Sequence, residues 1–473
     1  MLYNYEEKIP KLQEEFTKII NLAINDYQNL EIHMAEETIF RELLKLGQGL
    51  LNLYIAKQGT GKDIYEKKLP YHKTENRNYI SIFGDITIPR AYFWKKGSES
   101  GEYPLDKKLN LPEKEYSYLL DKWSEMFAVD SSYDKSRKDI ETIFGINIWS
   151  KQMEEINKDT AIYVDNFYDN KKSEEQKEPI LCVQIDGKGV VIKDRAKTHP
   201  DRVRLGRGEK NNCKKMATVT AVYGIDRNER KIEDIVKEKI AEKNNETTKE
   251  SKNAPKPQNK LIRGTLEGKD IAFENLKKEV LKRDPNNKCD QIALVDGEVS
   301  LAKKITQFLS GFIIIIDLFH VMERLWTLCY IFHKEKTKEA ENWVKKYLTM
   351  ILSGKVGYFV GAMKQIVTKG NISKTKGKKI LNMIKYFEKR KKYMRYDEYL
   401  SKGYPIGTGV IEGACRSFVK DRMELAGMRW SELGAEAMLK LRSIKINSYW
   451  DEYWNYFTDK KKVDLYQNKE KSA

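Results

Sequence analysis

Residues 180–187 read ILCVQIDG, residues 292–297 read IALVDG and residues 312–317 read FIIIID. Each run is rich in Ile, Val and Leu, which is typical of a buried strand, and each reaches an aspartate. Open α/β sheets bind their ligands at the carboxyl ends of their strands. The runs therefore predict a sheet with carboxylates collected at one end.

The residues around the first run predict more of this sheet. Residues 189–192 are expected to pair back on the first run through a turn at Asp186–Gly187, and residues 216–223 to form a third strand. Residues 239–259 are polar and lack an apolar pattern, so we predict a flexible insertion there.

The later runs alternate with helices. Helical patterns at about 273–281 and 301–309 precede the second and the third run. Three strands in a meander, then helix, strand, helix and strand, is the order of a ribonuclease H-like fold.

Two features stand out before this core. Apolar residues alternate over 79–83 and 86–88 on both sides of Gly84–Asp85, which predicts a β-hairpin. Two short amphipathic helices joined by a turn at Gly145 follow within residues 133–167, in the outline of a DNA-reading helix-turn-helix. An ordinary helical hairpin fits the same pattern.

We therefore predict a mixed α/β (α+β) multidomain protein. Its ribonuclease H-like core is interrupted by an all-helical insertion and preceded by a mainly helical region that contains the hairpin. The predicted segments are 1–70 (helical), 71–110 (hairpin), 111–170 (helical, helix-turn-helix-like), 180–320 (first part of the core), 321–403 (helical insertion), 404–446 (last part of the core) and 447–473 (aromatic and basic tail).

The composition excludes several classes of protein. Aromatic residues make up 11% of the chain, too many for a disordered protein. No signal peptide or membrane-length apolar run is visible, and the five cysteines include no Cys-x-x-Cys pair, so we expect a cytoplasmic protein without a zinc site and without a membrane partner. The net charge of +17 favours a polyanionic partner, most simply nucleic acid.

Three carboxylates are the candidate catalytic and metal-binding groups: Asp186, Asp296 and Glu412, the last within GVIEGACR at 409–416 near a helix start. Together they could hold two Mg²⁺ or Mn²⁺ ions about 3.5–4 Å apart, an arrangement suited to phosphodiester chemistry. Each also has a simpler interpretation, because Asp-Gly is a common turn and a glutamate complements a helix dipole.

Other residues are candidates for supporting roles. Asp317 and His320 follow the last strand, where they could assist the site or simply cap and pack the next helix. The basic residues that we expect to contact DNA phosphates are Arg202, Arg204, Arg207, Lys210, Lys214, Lys215, Arg416, Lys420 and Arg422. A solvated charge run and a plain Glu–Arg helix pair are the alternatives.

The sequence contains a series of distinctive motifs: VQIDGKG (183–189), LGRGEK (205–210), VDG (295–297), DLFH (317–320), GTGVIEGACR (407–416), VKDRM (419–423) and GAEA (434–437). Together these motifs resemble the ISKra-type family of bacterial insertion-sequence transposases, distantly similar to Mutator-like elements. The resemblance covers roughly residues 75–455. Many relatives carry a cysteine-rich stretch at the N-terminal hairpin, whereas residues 72–94 contain no cysteine.

The resemblance implies a DDE transposase with Asp186, Asp296 and Glu412 as the catalytic acids. The pair Asp317 and His320 resembles the C/D-x-x-H motif of Mutator-like enzymes, which supports Asp296 as the second acid. The implied partners are double-stranded DNA of the terminal repeats and of the target, and a second copy of the chain, as a homodimer or larger assembly on DNA. A catalytically silent, domesticated DNA-binding protein and a ribonuclease H-like nuclease or resolvase are the competing functions.

Overall fold

The structure is a computed structural model that describes residues 5–26, 30–65, 69–98, 101–193, 214–243, 255–370, 372–407, 409–425 and 427–467. The chain divides into two units: Met1–Phe167 with Tyr449–Ala473, and Tyr168–Ser448. No helix in these described ranges is long and apolar enough to cross a bilayer.

The elements are as follows. The strands are β1 (Tyr71–Ser81), β2 (Gly84–Phe93), β3 (Ile180–Val191), β4 (Lys214–Ile225), β5 (Gln258–Thr265), β6 (Asp290–Val295) and β7 (Ile313–Ile316). The helices are α1 (Lys8–Asn21), α2 (Ile32–Gln58), α3 (Pro104–Leu109), α4 (Tyr118–Ala128), α5 (Tyr133–Phe144), α6 (Ser150–Ala161), α7 (Val164–Asn170), α8 (Ile232–Lys243), α9 (Lys269–Arg283), α10 (Val299–Phe308), α11 (Leu318–Cys329), α12 (Lys338–Leu352), α13 (Val356–Lys369), α14 (Lys374–Arg390), α15 (Tyr396–Ser401), α16 (Gly409–Ala414), α17 (Asp421–Met423), α18 (Glu432–Ile446) and α19 (Trp450–Tyr466). Short 3-10 or π-helical segments lie at Tyr5–Glu7, Leu22–Asp26, Lys391–Tyr393 and Cys415–Lys420.

The first unit contains the hairpin of β1 and β2, with its turn two residues earlier than predicted. Ser81 pairs with Gly84, so the turn consists of Ile82 and Phe83 rather than Gly84–Asp85. The Ser81 hydroxyl accepts a hydrogen bond from the Phe83 N–H at 3.1 Å and donates one to the Gly84 carbonyl at 3.0 Å. This local bonding replaces the turn that the Gly-Asp pair alone predicts.

Helices α4, α5 and α6 share one apolar core, to which Leu120, Ile140 and Met153 contribute buried side chains. Helix α5 ends at Gly145, whose φ of 70° is the left-handed conformation that favours glycine. Helices α5 and α6 thus follow each other as the sequence predicts, and their use in DNA recognition stays a prediction.

The C-terminal residues 447–473 contain a helix, α19, that belongs to the first unit. Its Tyr453, Trp454 and Phe457 are buried, and the Phe457 ring meets the Tyr118 ring edge-on. Aromatic side chains of this size stabilise a core strongly when they are buried. The aromatic residues of this segment therefore form part of a packed core.

The second unit is organised around a five-stranded sheet in the order β5-β4-β3-β6-β7. Strands β3, β4 and β5 pair antiparallel, whereas β6 and β7 continue the sheet parallel to β3. The predicted class is confirmed at this level: a mixed α/β protein with N-terminal helices, a hairpin, and a mixed sheet with intervening helices.

Two details of the predicted sheet are wrong. Strand β3 runs without a turn from Ile180 to Val191, because it pairs with β4 over its whole length, with Gly187 opposite Thr218 and Gly189 opposite Met216. The third strand of the meander is β5, which begins inside the segment predicted to be a flexible insertion. That segment is also helical at its start, in α8, and its residues 244–254 lie outside the described residues.

Helices α11 to α15 pack on the same apolar core as the sheet. Buried residues of α12, α13 and α14, such as Leu348, Phe359 and Phe387, belong to one cluster with Val183 of β3 and Leu294 of β6. Burial of such side chains stabilises the fold by about 1.5–3 kcal/mol each. The all-helical segment is therefore continuous with the core of the second unit.

Candidate functional site

Three of the predicted acids are related by the register of neighbouring strands: Asp186 lies in β3, and Asp296 and Asp317 come directly after β6 and β7. The parallel register pairs Gln184 of β3 with Leu294 of β6, so two residues further on Asp186 lies beside Asp296. Strand β6 pairs Val295 with Ile316 of β7, which places Asp296 beside Asp317. Neighbouring strands are about 4.8 Å apart, so the register, continued past its last pairs, gives the three aspartates successive positions in a row across the sheet.

The chain that leads to Glu412 crosses the sheet from the end of β7 to Gln184 within β3. The Leu318 N–H after β7 donates a hydrogen bond to the Ile406 carbonyl at 2.9 Å. Gln184 accepts from the Ile411 N–H at 2.8 Å, while its amide group donates to the Gly407 carbonyl at 3.4 Å and to the buried Tyr223 hydroxyl. Gln184 is itself fully buried, so these bonds fix the start of α16 above the row.

Glu412 lies in the first turn of α16, and its carboxylate is close to Asp317, the residue that follows β7. One ligand atom each of Asp317, His320 and Glu412 lies within 4.8 Å of the other two, and the described residues contain no other such group of His, Cys or acidic side chains. Asp317 is buried, His320 half-buried and Glu412 exposed. The group therefore opens from the core towards solvent.

His320 is oriented by carboxylates on both sides of its ring. Its Nδ1 lies 3.3 Å from Oε2 of Glu323, and its Nε2 lies 4.0 Å from Oδ2 of Asp317. A histidine that ligates a metal ion usually has its other nitrogen held by a carboxylate in this way. The Nε2 atom is thus the one directed towards the acidic group.

Asp317 also caps a helix, as one of the two predicted interpretations requires. Its Oδ1 accepts a hydrogen bond from the Phe319 N–H at 3.1 Å at the start of α11. Beneath it, the Tyr396 hydroxyl donates to the Ile316 carbonyl at 2.7 Å. Burial, together with the negative charge of Asp317, raises the pKa of Tyr396, so this hydroxyl keeps its proton and its bond.

Asp186 contacts the helix that carries Glu412 through a cysteine. The Cys415 thiol donates to Oδ2 of Asp186 at 3.4 Å, and Oδ1 accepts from the Gly187 N–H at 2.6 Å. Burial and the neighbouring Asp186 charge raise the pKa of Cys415, so the sulfur stays a thiol and remains a donor. Cys415 thus helps to orient the Asp186 carboxylate.

Asp296 occupies a loop that α14 holds in place. Its Oδ1 accepts from the Glu298 N–H at 2.7 Å. The Tyr386 hydroxyl donates to the Asp296 carbonyl at 2.8 Å, and Nε of Arg390 donates to the Gly297 carbonyl. Gly297 has a φ of 93°, and a Cβ there would lie 2.5 Å from the Tyr386 hydroxyl, so the loop requires glycine.

In the structure the predicted acids fall into a close group and a more distant pair. Glu412 lies with Asp317 and His320, the pair assigned a supporting role, whereas Asp186 and Asp296 lie outside that close group and join it through the strand register. The close group therefore lies at the carboxyl end of β7, with Asp296 and Asp186 at the register positions beside it on β6 and β3.

The predicted DNA-binding residues have different surroundings. Arg202, Arg204, Arg207 and Lys210 lie outside the described residues. Lys214 forms an ion pair with Glu424 at 3.2 Å, and Lys215 forms one with Glu432. Arg416 and Lys420 are exposed on the π-helical segment that follows Glu412.

The predicted DNA contact of Arg422 is wrong, because its side chain is fully buried. Its guanidinium lies 4.7 Å from the centre of the Trp430 ring and donates to the Met428 sulfur at 3.1 Å. Trp430 in turn hydrogen-bonds through its backbone to the end of β3, at Val191. Arg422 therefore packs the segment after α16 against the sheet.

We expect opposite effects from two arginine substitutions. Arg422→Gln should lower the free energy of unfolding by about 2 kcal/mol or more, because it removes a buried cation–π contact and much packed surface. Arg416→Gln should leave stability unchanged and weaken DNA binding. Urea denaturation and DNA-binding titrations of both variants test this, and a DNA-binding loss in folded Arg422→Gln would restore the original assignment.

Some residues that shape the site were not found by sequence reasoning. Gln184 and Cys415 touch the candidate acids or their helix, and Tyr386 and Arg390 hold the Asp296 loop. A signal existed for Gln184 alone, since it is a single amide within an otherwise apolar run. The others depend on contacts between residues far apart in the chain.

Comparison with known proteins does not assign a family to the chain. The chain matches no protein-family model, and no curated protein matches it in sequence.

Proposed function

We propose that the protein is a DDE transposase that cuts DNA and joins the 3′ ends to a target with the help of divalent metal ions. The observation that carries this proposal is the row of Asp186, Asp296 and Asp317 with Glu412 placed above it by α16. Carboxylates that converge from neighbouring strands and a helix are suited to hold ions at a scissile phosphate.

Further observations support the proposal. An antiparallel meander of β3, β4 and β5 continued by parallel β6 and β7 is the arrangement expected of a ribonuclease H-like core. The net charge of +17 suits a polyanionic substrate. The motifs around Asp186, Asp296, Asp317 and Glu412 are those in which the sequence resembles ISKra-type transposases.

The donor set fits Mg²⁺ or Mn²⁺. Carboxylate oxygens are the ligands that both ions accept, and the imidazole of His320 makes Mn²⁺ the better match. Asp186, Asp296 and Glu412 would hold the ions, with Asp317 and His320 beside them. When bound, the ions activate the attacking oxygen and stabilise the leaving one.

The chain's own residues supply the positioning. Gln184 fixes the start of α16, and thereby Glu412, against β3. The Cys415 thiol orients Asp186, and Glu323 orients His320. Ligands held in advance by neighbouring hydrogen bonds lose less freedom when an ion binds.

The test uses the full-length protein and labelled DNA that carries the sequences flanking the gene. We expect cleavage and joining to a second duplex with Mg²⁺ or Mn²⁺, and neither reaction with EDTA. Cleavage without joining would indicate the nuclease or resolvase instead. End-specific binding without chemistry would indicate the domesticated DNA-binding protein, and absence of DNA binding would contradict all three.

Metal binding can be measured without DNA. We expect Mn²⁺ to raise the thermal midpoint of the wild-type protein, because an ion that binds the folded state stabilises it, by about 1.4 kcal/mol for each tenfold excess over its dissociation constant. His320→Ala should reduce this shift. His333→Ala, at another partly buried histidine of the same unit, is the matched control and should retain the shift. Equal shifts in all three proteins would place the ion elsewhere.

A further inference from the structure

Two arginines contact one tyrosine beside Asp296. The guanidinium carbon of Arg324, on α11, lies 3.9 Å from the centre of the Tyr386 ring, and that of Arg390, on α14, lies 4.1 Å from the same centre. Both guanidinium groups therefore contact the same ring. Each gains a cation–π contact with the ring.

This pair of positive charges has little compensation from the protein. Within the described part of the chain, neither guanidinium forms an ion pair with a carboxylate, and the acid that acts on Arg390 electrostatically is Asp296. Arg324 is exposed, and Arg390 is half-buried. Two like charges on one ring repel each other, so an anion placed between them and solvent would be bound favourably.

The position of the pair is fixed relative to Asp296. Tyr386 and Arg390 donate to the carbonyls of Asp296 and Gly297, and Gly297 allows their approach because it has no Cβ. Tyr386 and Arg390 are thus bonded to the backbone of one candidate metal ligand and its neighbour, and Arg324 contacts the same tyrosine. An anion at the pair would lie next to the candidate catalytic centre.

We propose that Arg324 and Arg390 bind a phosphate group of the DNA strand next to Asp296. This inference rests on the proposed function for the identity of the anion. A guanidinium presents planar N–H donors that match two phosphate oxygens, and its weak hydration makes it well suited to contacts close to the reacting group. The all-helical segment 321–403 would therefore contribute directly to substrate binding.

Arg324 gives the cleaner test, because Arg390 also holds the Gly297 carbonyl. We expect Arg324→Gln to weaken binding of a labelled DNA duplex in Ca²⁺ about 3- to 10-fold. The negative slope of the logarithm of the association constant against the logarithm of the salt concentration should become shallower by about 1. Arg324→Lys should restore the slope, since it keeps the charge, but only part of the affinity, since it loses the planar stack.

Lys378→Gln is the matched control. Lys378 is an exposed cation of α14, and a rise of about 1.5 Å per residue places it about 18 Å along the helix from Arg390. It should bind DNA as the wild type does, because it lies away from the pair. Equal affinity and salt slope for Arg324→Gln and Lys378→Gln would overturn the proposal.

The same titrations separate this inference from the proposed function. A wild-type protein that binds DNA without cutting it would contradict the transposase, while the salt slopes would still test the arginine pair. If the wild type and Arg324→Gln cut DNA equally well and bind it with the same affinity, the proposed function would stand. The proposed role of the arginine pair would be contradicted. If Arg324→Gln has a reduced affinity and a shallower salt slope and Lys378→Gln does not, the phosphate-binding role of the arginine pair is supported, whether or not the wild type cuts DNA.

Discussion

Glu412→Gln should abolish metal-dependent DNA cleavage, with a fall of about 10³-fold or more, the scale on which loss of an essential catalytic group acts. The amide keeps the size of the side chain but removes the negative charge that would hold a divalent ion. Glu412 is exposed, so the substitution should leave the fold intact. The measurement is cleavage of labelled DNA with Mn²⁺, beside DNA binding in Ca²⁺.

DNA binding by this variant should stay within about twofold of the wild type or become tighter, because one negative charge near the phosphates is lost. Glu335→Gln, at another exposed glutamate of the same unit, is the control and should cleave normally. If Glu412→Gln retained cleavage within about threefold of the control, the assignment of Glu412 to the site would be wrong.

Asp296 and Asp317 can be separated in the same assay. The resemblance favours Asp296 as the second catalytic acid, whereas the close group of possible ligands contains Asp317 with Glu412. The two are adjacent through the pairing of Val295 with Ile316, so one ion could be shared between them. Asp317 also caps α11, and its replacement by Asn preserves a cap acceptor while removing the charge.

The neighbourhood of two candidate acids was predictable because strand ends can be recognised locally. Apolar runs that end at Asp296 and Asp317 indicate one edge of a sheet without any knowledge of distant contacts, whereas β3 continues past Asp186 to Val191. The burial of Arg422 was not predictable in the same way. Its cation–π contact with Trp430 depends on a turn between them that the local pattern does not specify.

The errors in the predicted sheet have a common physical cause. Asp186–Gly187 resembles a turn locally, but β3 pairs with β4 without a break through both residues. Strand β5 is polar at its start, and its pairing with β4 supplies the order that its own sequence does not indicate. Tertiary contacts override local preference in both places.

The largest effect on stability is expected in the first unit, at a buried cluster of charges. Asp106 of α3 lies between Arg77 of β1 and Arg90 of β2, and its Oδ2 bonds to both, with 3.3 Å to Nη1 of Arg77. The three side chains are only 8%, 14% and 11% exposed. Arg90 also stacks on Tyr103 at 4.0 Å, so the cluster joins both strands to the following helix.

Asp106→Ala should lower the free energy of unfolding by about 3–5 kcal/mol, because it removes the carboxylate that bridges two buried guanidinium groups. Asp63→Ala, at an exposed aspartate of the same unit, should change it by less than about 0.5 kcal/mol. Urea denaturation measures both, and hydrogen exchange should show that the loss of protection falls on β1 and β2. A change in Asp106→Ala no larger than in the control would mean that the two arginines are solvated and that the strands are held by apolar packing alone.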